Sequence, residues 1–225
     1  MSEQKIRVDY FTDILCIWAH AAQKRLDEIK LQYGDQIELH LHFFSVFGAV
    51  DKMMLKNWGE EGVAGYNLHV HKVAKQFDYL DMHRDVWLGD TPKSSLSIHI
   101  FLKAVQLLIE QEKVESAQFD AFLWATRQAF FKDAENIGRR GILYDLASEL
   151  GFDVKAIQVN IDSGAAHAAL EEDHSLAAEN QITISPTYLL NESRQKLVGN
   201  VGYRIIEANL QGLLIEPGEL GASWC

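Results

Sequence analysis

Asp13-Ile14-Leu15-Cys16-Ile17-Trp18-Ala19-His20 is the stretch on which the fold turns. Upstream, Lys5 to Phe11 alternates Ile6, Val8 and Tyr10 with Arg7 and Asp9, the period-two pattern of a strand, and turns at Thr12-Asp13. Downstream, Trp18, Ala22, Leu26, Ile29 and Tyr33 recur at three- and four-residue steps while Lys24, Arg25, Asp27 and Glu28 cover the other side, which predicts an amphipathic helix from Cys16 to Tyr33. Gly34-Asp35 ends it, and Gln36 to Val46 reads as a second strand. A helix crossing between two strands is a β-α-β unit, right-handed with parallel strands. Cys16 therefore stands at a strand-to-helix junction, facing free backbone N–H groups and the positive end of a helix dipole, and both favour thiolate over thiol.

From about residue 50 to 180 the pattern becomes helical. Helices are predicted over Gly62 to Phe77, Ser94 to Glu112, Ser116 to Asp133, Arg139 to Leu150, Asp153 to Ile161 and Gly164 to Glu179. Ile182 to Leu190 returns to strand, Gln195 to Val198 completes a hairpin, and Tyr203 to Leu214 forms a last helix. The expected architecture is α/β, β-α-β then β-β-α with a large all-helical insertion. Residues 1–49 and 181–225 make the sheet domain, and residues 50–180 the helical insertion domain.

Composition narrows the function. The 225 residues carry a net charge of −11, the wrong sign for nucleic acid or an anionic membrane surface as main partner. No apolar run approaches the roughly 18 residues needed to span a bilayer, and the N-terminus lacks a signal-peptide core, so the expected compartment is the cytoplasm. Two cysteines are too few for a disulfide framework. His40 and His42 share a strand face with no carboxylate or cysteine at ligand spacing, and His69 and His71 point apart on a helix, so no metal site is expected. Gly199-Asn200-Val201-Gly202 fits neither phosphate-binding pattern.

The junction cysteine, the element order and Ile184-Ser185-Pro186-Thr187-Tyr188 at the mouth of the third strand resemble the thioredoxin superfamily. With the helical insertion, the resemblance is to its DsbA-like branch: FrnE-type oxidoreductases, 2-hydroxychromene-2-carboxylate isomerase and kappa-class glutathione transferases. It covers essentially the whole chain, on Asp9-Tyr10-Phe11-Thr12-Asp13, Cys16-Ile17-Trp18-Ala19 and Ser185-Pro186-Thr187-Tyr188, and the ending Ala222-Ser223-Trp224-Cys225 is similar to that of FrnE-type members. The resemblance implies that Cys16 is the attacking cysteine and Pro186 a cis-proline packed against it, with the Ser185 backbone turned toward the sulfur to pair with an extended peptide or glutathione.

Ala19 departs from the family's Cys-x-x-Cys pattern. Alanine cannot resolve a mixed disulfide at Cys16, so resolution falls to glutathione, another protein's thiol, or Cys225. The leading expectation is a thiol–disulfide oxidoreductase acting through Cys16, with no bound cofactor, glutathione as co-substrate, and a protein or small-molecule thiol or disulfide as partner. His20, one helical turn on, would favour the thiolate if protonated; its plain reading is an exposed helix residue. Trp18 is read as either substrate-facing or core, and the plain reading of Cys225 is a tail residue with no role. The second expectation is a glutathione-dependent isomerase or transferase on a small aromatic substrate, by analogy a homodimer. The third is a non-catalytic binding module in which Cys16 is an inert core residue.

Overall fold

The structure is a computed structural model and describes residues 5–215. β1 (Ile6–Thr12), α1 (Ile17–Tyr33) and β2 (Ile37–Phe43) form the β-α-β unit, and β3 (Thr187–Leu190), β4 (Gln195–Val198) and α9 (Tyr203–Ile215) form the β-β-α unit. The sheet order is β2-β1-β3-β4, with β1 parallel to β2 and antiparallel to β3. β1 is central, and six of its seven residues are buried; this explains why its polar Asp9 and Thr12 are hydrogen-bonded inside the protein rather than facing water. Gly34 closes α1 where a Cβ would come within 2.5 Å of the Lys30 carbonyl oxygen, an approach only glycine allows.

The helices between the two units are α2 (Val50–Trp58), a 3-10 turn (Gly59–Glu61), α3 (Gly62–Ala74), α4 (Leu96–Glu110), α5 (Ser116–Phe131), α6 (Arg140–Glu149), α7 (Val154–Asp162) and α8 (Ala165–Glu179). Asp153 caps α7 by accepting from the Lys155 and Ala156 amides, and Gly164, at φ +85°, turns the chain into α8. α2 is absent from the sequence reading: its apolar face, Val50, Met53, Met54 and Trp58, covers only about two turns, and only Val50 and Met54 are buried. The third strand starts at Thr187 rather than Ile182: Pro186 has no N–H to give a ladder, and the Thr187 hydroxyl donates back to the Ile184 carbonyl (2.7 Å).

Two large apolar clusters organise the molecule. One fills the space between the sheet, α1 and α9 with Ile6, Val8, Leu26, Ile29, Leu190 and Leu210. The other joins Ile14, Leu15, Cys16, Ile17 and Phe43 to insertion residues such as Trp87, Phe101 and Phe130. The Cys16 loop is thus built into the seam between sheet and helices.

Candidate active site

Cys16 is the N-cap of α1, in extended backbone (φ −81°, ψ 117°). Its N–H donates to the Asp13 carbonyl (3.1 Å), and its own carbonyl accepts the first helical bond from the His20 amide (2.9 Å). The sulfur ends beside the loop before β3. Cys16 Sγ donates to the Ser185 carbonyl at 3.2 Å, and the Asp13 amide donates to Ser185 Oγ at 2.9 Å. The Ser185–Pro186 peptide bond is cis, and because Phe11 pairs with Thr187, Pro186 lies opposite Thr12 at the end of β1. Cys16, Ser185 and Pro186, far apart in sequence, thus meet at one point.

Two expectations need correction. The first concerns the sulfur's charge and access. Cys16 is only 6% exposed, and burial pushes its thiol above the ordinary value; the buried Asp13 carboxylate adds to this, while the Ser185 side chain and the Ala19 and Trp18 amides pull the other way without prevailing. The helix N-terminus is there, but desolvation outweighs it. The second concerns His20, which is neither exposed nor a cation. Its ring is fully buried, stacked between Phe131 (4.5 Å) and Trp124 (5.2 Å), with both nitrogens unpartnered. Burial, with the charge of Arg127, lowers its pKa to about 3, so it is neutral and lends Cys16 no positive charge. Trp18 is half-buried, edge-on to Phe77, and Cys225 lies outside the described residues.

The loop is fixed from beneath by residues to which the sequence reading gave no role. Asp13 Oδ1 accepts from the Leu15 amide (2.9 Å), and its Oδ2 accepts from the Phe47 amide and Ser95 Oγ (2.8 Å each), so one carboxylate ties β1, the chain after β2 and the start of α4 together. His99 Nε2 accepts from the Ile14 amide (3.2 Å), tying the loop to α4. Arg127, fully buried on α5, donates to the Ala19 carbonyl (2.9 Å), Gln23 Oε1 (2.7 Å) and Thr12 Oγ1 (3.1 Å), so it grips the chain on both sides of Cys16. Tyr66, buried on α3, feels the charges of Cys16 and Asp13 in addition to burial, and all three push its phenol well up. The one hint in sequence was the aspartate that directly follows the strand.

Among the described residues no three His, Cys, Asp or Glu side chains are placed to hold a metal ion, and no helix is long and apolar enough to cross a membrane. A serine beside a proline and a sulfur at a helix start can guide an extended backbone onto a disulfide.

The family described as Thioredoxin matches residues 10–207. Among curated proteins, the ClpXP adapter protein SpxH of Halalkalibacterium halodurans is 26% identical over 212 residues, which cover 91% of this chain and 66% of the relative, so the chain spans just under two thirds of that protein's length. Among solved structures, a putative protein disulfide isomerase from Nitrosomonas europaea superposes with a TM-score of 0.77 at 18% identity, covering 96% of this chain and all of the other. The cytosolic disulfide reductase DsbM from Pseudomonas aeruginosa with GSH gives 0.65 at 18% identity, covering 91% and 99%. With the family match spanning most of the chain, the chain is a member of the thioredoxin family, and it shares its fold with these structures.

Proposed function

We propose that the protein catalyses thiol–disulfide exchange through Cys16, with glutathione or a partner protein's thiol as the second sulfur. One observation carries this reading: Cys16 Sγ sits at the α1 N-terminus, 3.2 Å from the Ser185 carbonyl that precedes Pro186. In the free protein that carbonyl accepts the thiol proton, and burial keeps the sulfur neutral. An extended substrate whose backbone N–H takes the Ser185 carbonyl removes the proton's acceptor. The Ala19 and Trp18 amides, which favour the anion, are left on the sulfur. The thiol proton passes to water, and the thiolate forms when substrate arrives.

The Cys16 thiolate attacks one sulfur of the substrate disulfide; a Cys16–substrate disulfide forms and the other substrate sulfur leaves as thiolate. Ala19 provides no local sulfur to resolve the mixed disulfide. A glutathione thiolate attacks the substrate sulfur of that mixed disulfide, giving glutathione–substrate disulfide and releasing Cys16. The glutathione in the DsbM structure supports this co-substrate, and DsbM's description as cytosolic supports a cytoplasmic setting.

A second reading, a module that binds protein partners without redox turnover, draws on the burial of Cys16 and on the adapter role in the curated relative's name. Intact-mass measurement after incubation with oxidised glutathione separates the two. Exchange chemistry predicts one glutathione adduct that maps to Cys16 and vanishes in Cys16→Ser. An unmodified Cys16 after prolonged incubation would leave the binding module. Glutathione binding that survives Cys16→Ser without an adduct would select the isomerase or transferase reading.

A further inference from the structure

A well-formed groove in the structure does not open on Cys16. About 1010 Å³ in volume, it runs beside β2, between the sheet and the helices α1, α4, α5 and α8. β2 is an edge strand, so one row of its backbone groups faces this groove. The Ile6 amide donates to the Gln36 carbonyl and the Phe44 amide to the Thr12 carbonyl, so in the parallel register Glu38, His40 and His42 bond inward to β1. Ile37, Leu39, Leu41 and Phe43 face outward. At the upper end side chains from the helices satisfy them: Gln106 Nε2 donates to the Leu41 carbonyl (3.1 Å), and the Phe43 amide donates to Asp173 Oδ2 (2.8 Å). Lower down the helices stand off, and among the described residues no group reaches the N–H and C=O of Leu39 or the N–H of Leu41.

The groove's two sides differ. Toward α1 and α5 it is apolar, with Leu26, Phe119 and Leu123, on the side where Leu39 and Leu41 point. Toward α8 it is acidic. Each cation at its base is matched: Arg7 to Asp9, Lys30 to Asp120, Lys103 to Asp173, and His42 between Asp9 and Asp173. Exposed Glu171, Glu172, Glu179 and, at one end, Glu110 line the groove, and none takes part in an ion pair among the described residues. A strand added to β2 would turn alternate side chains to these two walls.

We propose that this groove takes an extended segment of a partner protein as an added strand on β2, with apolar residues alternating with lysine or arginine. The apolar ones meet Leu26, Phe119 and Leu123, and the basic ones meet the glutamates of α8. A second copy of this chain, itself at −11, is the wrong charge for the acidic wall. The surface is separate from the Cys16 site, so the proposal stands or falls independently of the exchange chemistry.

The test uses the full chain and two short fluorescein-labelled peptides, one alternating lysine with valine and one alternating glutamate with valine. Fluorescence anisotropy should show the lysine peptide binding at least about tenfold more tightly than the glutamate peptide, and weakening as salt rises. Hydrogen exchange at the Leu39 and Leu41 amides should slow when it binds. The double variant Glu171→Lys/Glu172→Lys should lose about tenfold in affinity, and Cys16→Ser none. Leu39→Pro, which removes an outward N–H, should abolish the exchange effect; the charge-reversed variant decides the matter if that protein does not fold. Equal binding of the two peptides, unchanged exchange at Leu39 and Leu41, protection confined to Ile184–Tyr188, or no binding would each overturn the proposal.

Discussion

His20 occupies a place in which a charged imidazole cannot be tolerated. Its ring lies between Phe131 and Trp124 with no partner on either nitrogen, and its pKa is lowered to about 3 by burial and by Arg127. In the unfolded chain it titrates near ~6.5, so the unfolded state binds the proton first. This contribution to stability is complete above that pH and is lost as pH falls through the folded value. His20→Phe should therefore lessen the acid-induced loss between pH ~6 and ~3 and at neutral pH be neutral or stabilising by up to about 1 kcal/mol, as read by urea unfolding across that range. Cys16 and Pro186 were legible in the sequence because a cysteine at a strand–helix junction and a proline before a strand are local signals. The burial of His20 was not. Its position on α1 points it at Trp124 and Phe131 of α5, and a helical period on α1 cannot say which helix covers that face.

The joint between sheet and insertion is held by a chain of charges spanning β1, β2, α4 and α8. His42 stands between Asp9 Oδ1 and Asp173 Oδ1, 2.8 Å from each, and both nitrogens are donors only when the ring is a cation. Burial would lower the His42 pKa, but its bonds to Asp173 and Asp9 outweigh it and raise the value. Burial pulls Asp9 up, yet His42 and Arg7 hold it at about 2. The sign at the alkaline end is clear: the stability from His42 is full below the unfolded value and is lost as pH rises through the raised folded value. Chemical unfolding from pH 6 to 9 should show wild-type stability falling, whereas His42→Gln should be flat in that window and roughly 3 kcal/mol less stable at pH 6. An equal decline in both proteins would remove His42 as the cause. From sequence His40 and His42 were legible as a pair on one strand face, but the carboxylates of His42 come from the neighbouring strand and from a helix 131 positions away. Spacing along the chain carries no trace of that meeting. Element order was better preserved: the helix from Ser116 was placed within two residues of its observed end at Phe131, since its apolar period is long, while the nine-residue α2, with a stripe of only about two turns, went unseen.

At the scale of the molecule, the apolar cluster that contains Ile14, Cys16 and Phe43 also contains Trp87, Phe101 and Phe130. The sheet and the insertion share a core, so the chain should unfold in one transition followed equally by a near-ultraviolet and a far-ultraviolet signal. Phe130→Ala should lower that single transition by about 3–5 kcal/mol; two separable transitions, only one of them moved, would show independent units. The same shared core explains why Cys16 is shut in and its thiol raised: the helices that complete the fold also desolvate its sulfur. The proposed exchange therefore calls for a second thiol from solution and for substrate to open the Ser185 contact. The direct measurement is turnover of a glutathionylated model peptide by the full chain with reduced glutathione, coupled to glutathione reductase. The account predicts saturable turnover that rises with pH as more Cys16 is ionised and disappears in Cys16→Ser. Undiminished turnover in Cys16→Ser, or none in the wild-type chain, would contradict it.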